Sequence, residues 1–126
     1  MTSLSDRLAA LCVADGEFRM AARYWTGTLV LRLGDEDATL LLENGVVRSA
    51  AVRAETAPSG PGHLLLRAPD DVWARILAPV PPPMFNDIVP AQAFGLVIEG
   101  EQETLWQCYP AVRRAVELLR EGRVRG

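Results

Sequence analysis

The sequence predicts an α+β domain, with a five- to six-stranded, mostly antiparallel sheet and helices packed on one of its faces. Three observations predict this class. The first half of the chain alternates apolar and polar residues with a period of two, as strands of a half-covered sheet do. Residues 69–100 then have the pattern of a helix, a proline-rich bridge, a second helix and a returning strand. Residues 101–122 repeat apolar side chains at steps of three and four, which indicates one closing amphipathic helix.

Length and composition restrict the class further. At 126 residues the chain is long enough for one domain, 1–126, with a core that needs no metal or disulfide. Its net charge of -3 argues against nucleic acid as a partner, because no basic stripe is present to neutralise phosphates. All 13 basic residues are arginine. The absence of lysine excludes a Walker A loop and Schiff-base chemistry.

We expect neither a metal nor a cofactor. One histidine and two cysteines cannot form a zinc site without carboxylate ligands. Cys12 and Cys108 have no redox or metal-ligand spacing, so buried free thiols are expected. The chain shows no signal peptide and no run approaching the roughly 18 apolar residues of a spanning helix. These features predict a cytoplasmic protein with no integral membrane span.

The elements of the first half follow from alternation and turn residues. Ser3 or Ser5 can cap a first helix that ends near Asp15-Gly16. Asn44-Gly45 is the strongest hairpin signal, because both central residues of a type I′ turn need a positive φ. The predicted strands cover residues 17–25, 28–33, 38–43, 46–53 and 63–68, with an acidic turn at 34–37 and a loop at 54–62. They form a meander of about five strands.

Proline and glycine divide the second half. Pro69-Asp70-Asp71 starts a helix, and the prolines of residues 79–83 then favour a rigid extended connector. A PxxP segment can also bind a partner, but this one lies between apolar anchors. Asn86 or Asp87 caps the next helix, and residues 96–98 form a strand that can lie in the centre of the sheet. Pro110 predicts a kink or a fresh start in the last helix.

Two motifs carry a family resemblance: Ala-Pro-Asp-Asp-Val-Trp at 68–73 and Ala-Phe-Gly-Leu-Val-Ile-Glu-Gly at 93–100. With the order of the elements, they make residues 15–121 resemble the sterol carrier protein type 2 (SCP2-like) family. The resemblance implies a five-stranded sheet with helices over one face, enclosing an apolar tunnel for lipids or other hydrophobic molecules. Two departures are the long proline bridge with Met84-Phe85 and a C-terminus without the peroxisomal ending.

The first functional hypothesis is a binding or carrier domain for a hydrophobic small molecule, such as a lipid, a sterol or a polyketide-like compound. Large apolar side chains beside the irregular proline-rich backbone could line a cavity. Each is also explained by ordinary core packing, and only as a set do they indicate a pocket. The candidate ligand-binding residues are Trp73, Ile76, Met84, Phe85, Ile88, Phe94, Trp106 and Tyr109.

The alternative is a small cofactor-free enzyme, a cyclase, isomerase or hydrolase acting on a hydrophobic substrate in specialised metabolism. It needs a general acid or base in an apolar pocket, and the candidates are His63, Asp87 and Glu99. Each has a structural explanation: an exposed histidine at a strand start, a helix cap and a solvent-facing strand end. No nucleophile motif is present. The sequence therefore favours binding over catalysis.

A third hypothesis is an interaction module or homodimer that uses the polar face of the sheet. That face would carry alternating charged residues, which fit ordinary solvation better than a large dry interface. We expect a monomer or a weak homodimer formed through an edge strand. The residues assigned to this face are Arg19, Arg23, Arg32, Glu43, Arg48 and Arg53.

Overall fold

A computed structural model describes residues 3–50 and 60–125 and confirms the α+β class. The helices are α1 (Leu4–Ala14), α2 (Gly16–Ala21), α3 (Asp70–Ile76), α4 (Ile88–Ala91) and α5 (Gln102–Arg125), with a 3₁₀ turn at Gln92–Phe94. The strands are β1 (Gly27–Leu33), β2 (Glu36–Glu43), β3 (Val46–Ala50), β4 (His63–Ala68) and β5 (Val97–Gly100). No helix in these ranges is long and apolar enough to cross a membrane.

The sheet has the strand order β3-β2-β1-β4-β5. Its pairs are antiparallel except β1 and β4, which run parallel with Leu29 beside Leu64. The predicted meander is therefore correct only for β1 to β3, because a parallel neighbour requires a crossover connection. Asn44 and Gly45 have φ values of 49° and 80°, which confirms the hairpin turn. Most of the predicted loop at 54–62 and the end of the strand at 46–53 lie outside the described residues.

The strand predicted at residues 17–25 is wrong: this segment is α2 followed by a turn. Asp15 caps the helix, since its carboxylate accepts a hydrogen bond from the Phe18 N–H at 2.8 Å. The segment is rich in alanine and charged residues that form helices as readily as they alternate. Arg19 and Arg23 therefore do not belong to the polar face of the sheet, and the first half contains four described strands.

The strand predicted for the sheet centre is also misplaced. β5 pairs with β4 alone among the described strands, and it forms an edge of the sheet. Both edges of the central strand β1 are already occupied by β2 and β4, so the returning strand adds at an outer edge of the sheet, where it pairs with β4. Val97 is accordingly 36% exposed. The exposure of Val97 depends on the position of β5 in the sheet. The local sequence pattern carries no information about that position.

The helix boundaries of the second half agree with the turn residues. Asp87 caps α4, whereas the cap position of α3 is Pro69, which offers no side-chain acceptor. α5 continues through Pro110 without a fresh start. Pro110 lies on the exposed side of α5, where water can bond the carbonyl that proline leaves without a donor.

One face of the sheet forms the core. Leucines from the central strands are fully buried against the helices, with α1 over β2 and β3 and α5 over β4. Each such burial contributes about 2 kcal/mol. These leucines are Leu29, Leu31, Leu40, Leu64 and Leu66. The opposite face carries polar pairs, among them Arg32 with Asp37 and Arg67 with Glu99. The helices therefore pack on one face, as the sequence predicts.

A largely buried ion pair joins the N-terminus of α2 to α5. Arg114 donates from Nε and Nη2 to the two carboxylate oxygens of Asp15, each at 2.9 Å. This bidentate contact is the main reason why the pKa of Asp15 is lowered to about 2. Asp15 thus caps α2 and holds it against α5 with the same carboxylate.

The charge of Asp15 can be isolated by Asp15→Asn, because asparagine caps helices as well as aspartate does. A carboxyl with a lowered pKa stabilises the fold above its ordinary value of 3.8, and this stability is lost as the pH falls through about 2. We expect the variant to lose about 1 kcal/mol of unfolding free energy at neutral pH and to show a flatter acid limb. Urea titrations across that range measure both.

Asp71→Asn is the matched control, since its pair with Arg75 is exposed. It should change the unfolding free energy by less than about 0.5 kcal/mol. An acid limb that Asp15→Asn leaves unchanged would contradict the assignment.

Two glycines allow the start of β1 and the segment before β4 to approach closely enough for the two strands to pair in parallel. The Thr28 N–H donates to the Gly62 carbonyl at 3.0 Å, just before β4. A Cβ on Gly27 would lie 1.9 Å from the Gly62 carbonyl oxygen, and one on Gly62 would lie 2.2 Å from the Thr26 carbonyl oxygen. The φ of Gly62 is 88°, a region that favours glycine. The backbones can approach this closely only without side chains.

Gly27→Ala should therefore lower the unfolding free energy by about 3 kcal/mol, through the backbone clash and the left-handed φ. Gly16→Ala is the control, because its Cβ would meet nothing closer than an Arg19 nitrogen at 3.9 Å. The control should be neutral or more stable by up to about 1 kcal/mol. Equal losses in the two variants, measured by urea unfolding, would refute the role of the close approach.

Candidate functional site

The eight candidate ligand-binding residues divide into two groups by burial. Trp73, Ile76, Phe85 and Ile88 are buried in the core. The Trp73 indole N–H also donates to the Arg32 carbonyl at 2.7 Å, which is a structural bond from α3 to the end of β1. Met84, Phe94 and Trp106 are exposed by 46%, 50% and 54%, and Tyr109 is partly buried.

Four of these residues form two pairs of neighbouring aromatic rings. The rings of Phe85 and Phe94 lie 5.1 Å apart, and those of Trp106 and Tyr109 lie 6.1 Å apart. The Tyr109 hydroxyl donates to the Asp87 carboxylate, which links α5 to the start of α4. We call the exposed or partly buried Met84, Phe94, Trp106 and Tyr109 the aromatic surface. Of the eight candidates, only Trp73 and Tyr109 line one of the four clefts described, so their role in ligand binding stays a prediction.

The three candidate catalytic residues are each engaged in a structural contact. His63 Nδ1 lies 3.0 Å from the Thr28 hydroxyl, and Glu99 accepts from Arg67 at 2.7 Å. Both lie on the polar face of the sheet, whereas Asp87 lies in the helical layer and caps α4. The structure therefore does not bring them together. Within the described ranges, no group of three histidine, cysteine or acidic residues could hold a metal ion.

The largest of the four clefts was not expected from the sequence. It has a volume of about 560 Å³ and lies between the end of α2, the start of β1 and the first turns of α5. We call it the α2–α5 cleft. The residues that line it are Ala21, Arg23, Tyr24, Trp25, Thr26, Pro61, Gly62, Thr104, Gln107 and Cys108.

Hydrogen bonds to one glycine hold the walls of this cleft. The Trp25 indole N–H donates to the Gly62 carbonyl at 2.8 Å, and the Gly62 N–H donates to the Thr104 hydroxyl at 3.0 Å. Three segments that are distant in the chain are thereby held at fixed positions. Trp25 and Thr104 are themselves buried, so both bonds are partly shielded from water.

The chemistry of the cleft suits binding better than covalent catalysis. Tyr24, Trp25 and Pro61 supply flat apolar walls, and Gln107 supplies an exposed amide. Burial raises the pKa of the Cys108 thiol to about 11, so the reactive thiolate is scarce near neutral pH. The cleft therefore combines apolar walls with a nearly equal share of polar surface.

Sequence reasoning missed this cleft because it assigned residues 17–25 to a strand. In a strand, Tyr24 and Trp25 would point to opposite faces of the sheet and could not line one space. A usable signal was the aromatic pair placed just before Gly27, with Pro61-Gly62 before another strand. The joining of these two segments depends on the parallel pairing of β1 with β4.

Comparison of the chain with known proteins identifies no relative. No protein-family model matches the chain, and no match is found among curated proteins or solved structures. The fold and cleft define an α+β domain with a site of small-molecule size. Function therefore has to be inferred from the geometry of that site.

Tyr109 provides a direct test of the contact between α5 and the start of α4. Burial, followed by the hydrogen bond to Asp87, raises the pKa of Tyr109 to about 12. Tyr109→Phe should remove a tyrosine that ionises near that pH in an ultraviolet titration. The lost hydrogen bond should cost about 1 kcal/mol of unfolding free energy. If the tyrosine that is lost ionises near the ordinary value of 10 instead, the contact with Asp87 is absent in solution.

Proposed function

We propose that this protein binds a small hydrophobic molecule, of the lipid, sterol or polyketide-like kind, in the α2–α5 cleft. The observation that carries the proposal is a space of about 560 Å³ walled by Tyr24, Trp25 and Pro61. Pockets for small molecules commonly measure roughly 300–1,000 Å³ and combine apolar walls with a few placed polar groups.

The bonds to Gly62 support the proposal because they position the walls before a ligand arrives. A binding site whose walls are already ordered loses less conformational entropy when it is occupied. Trp25 and Thr104 are both held through Gly62, at 2.8 Å and 3.0 Å. The shape of the cleft thus follows from the way in which the sheet and α5 are joined.

A second apolar groove lies between α1 and the end of α5 and measures about 350 Å³. Its walls are mainly aliphatic, from Leu11, Leu119 and nearby alanines, with the charged Asp6 and Arg7 at the side. A Cβ on Gly122 would already lie 3.0 Å from Leu11, so the helices approach closely here. The α2–α5 cleft is larger and offers aromatic walls with orienting groups, and for these reasons we prefer it.

The resemblance to the SCP2-like family favours the same function. It implies a five-stranded sheet with helices over one face, and the described architecture agrees with that expectation. Binding in an internal tunnel is the version of the proposal that the resemblance implies, and the eight candidate ligand-binding residues would then line the tunnel. We place the ligand in the α2–α5 cleft because the other candidates divide between core packing and open surface.

The second candidate function, a cofactor-free enzyme, has less support. His63, Asp87 and Glu99 are separately engaged, and no observation places them around a common substrate. A cytoplasmic location and a monomeric or weakly dimeric state remain predictions from the sequence.

Filling the cleft tests the proposal. Gln107→Trp places an indole at an exposed position of the cleft wall, so it should reduce ligand binding at least tenfold without disturbing the core. Gln102→Trp is the matched control, since it makes the same replacement on the same helix outside the lining residues. Native mass spectrometry of the purified protein, followed by denaturing extraction, identifies any molecule that the wild type carries, and titration with it compares the variants.

Two results would overturn this assignment. Equal binding by Gln107→Trp and the control would exclude the cleft, and a loss in Phe94→Ala alone would place the ligand on the aromatic surface. Wild-type protein that is empty and fails to take up a panel of fluorescent fatty acids and sterols would contradict the binding function itself.

A further inference from the structure

The formal charge on the described residues that line the α2–α5 cleft is entirely positive. Arg23 is the single charged side chain among the described residues that line it, and no carboxylate is among them. The chain as a whole carries a net charge of -3, so a cationic cleft departs from its average surface. A positive group in a cleft that no carboxylate lines favours a ligand with a negative group.

Arg23 is one of several arginines, with Arg7 and Arg19, that are not paired with a carboxylate among the described residues. Arg32, Arg67 and Arg114 each form an ion pair with a carboxylate at 2.9 Å or less, whereas Arg23 forms none within the described ranges. Its Nη1 donates to the Met20 carbonyl at 2.6 Å, and its guanidinium lies 4.8 Å from the Tyr24 ring centroid. These contacts orient the guanidinium and leave most of its five N–H donors available.

The wall formed by α5 adds one small positive and one small negative contribution to the electrostatic potential of the cleft. Thr104 and Gln107 line the cleft from the first turns of this helix, whose N-terminal end carries a partial positive charge. Glu103 opposes it, because its carboxylate accepts from the Gln107 amide at 3.5 Å. Removal of the Glu103 charge should therefore strengthen the binding of an anion, while removal of the Arg23 charge should weaken it.

We propose that the ligand of the α2–α5 cleft is an amphiphile with an anionic head group, a carboxylate or a phosphate, that binds to Arg23. The fork of the guanidinium matches two oxygens of either group. The apolar body of the ligand packs against Trp25, Pro61 and Cys108. This inference rests on the proposed function and adds to it the chemistry that selects the ligand.

Isothermal titration calorimetry with decanoate, decyl phosphate and decan-1-ol, at about pH 8, tests the inference. The three probes share one chain and differ in the head group. We expect both anions to bind the wild type about tenfold more tightly than the alcohol. In Arg23→Gln the three affinities should become equal, and in Glu103→Gln the preference for the anions should increase. A higher affinity for one anion than for the other identifies the preferred head group.

Arg19→Gln is the matched control, since Arg19 lies on α2 and is exposed but does not line the cleft. It should keep the preference of the wild type. Equal wild-type affinity for all three probes, with binding still blocked by Gln107→Trp, would overturn the anionic head group and leave the proposed function intact. Binding of all three that Gln107→Trp does not weaken, or no binding at all, would overturn both.

Discussion

The close approach of two glycine backbones is the constraint on which the rest of the structure depends. Gly27 and Gly62 start the two strands of the only parallel pair among the described strands, and side chains at either position would meet backbone atoms at 1.9 Å or 2.2 Å. The peptide groups of Gly62 also bond Thr28, Trp25 and Thr104. One tight contact therefore permits the parallel pairing of β1 with β4 and positions the walls of the α2–α5 cleft.

The charged groups have different tasks in different layers of the fold. Arg114 and Arg32 use their planar forks to hold carboxylates at 2.9 Å, and these pairs fasten α2 to α5 and β1 to β2. Arg23 has the same fork but no carboxylate partner within the described ranges, and it lines the α2–α5 cleft. Most of its N–H donors are not used in the contacts with Met20 and Tyr24, and the proposed head group would bind to these donors.

The aromatic residues show why a candidate site is harder to predict than a fold. Their spacing correctly placed Trp73 and Ile76 on the apolar side of α3, but spacing alone cannot distinguish a core from a cavity wall. Both are buried, and Trp73 also bonds the end of β1. Phe94 and Trp106 remain half exposed because nothing in the described ranges packs fully over them. That difference depends on which elements cover each helix.

By itself, the sequence determined what depends on neighbours along the chain: the α+β class, the hairpin at Asn44-Gly45, the start of α4 at Asn86 or Asp87 and a closing amphipathic helix. Turn dihedrals, caps and periodicity are local properties. The tertiary structure alone decided that residues 16–21 are helical, that β4 lies parallel to β1 and that β5 is an edge. It also built the cleft, whose walls come from three separate segments of the chain. Contacts between residues this far apart depend on how whole elements pack, which no local pattern records.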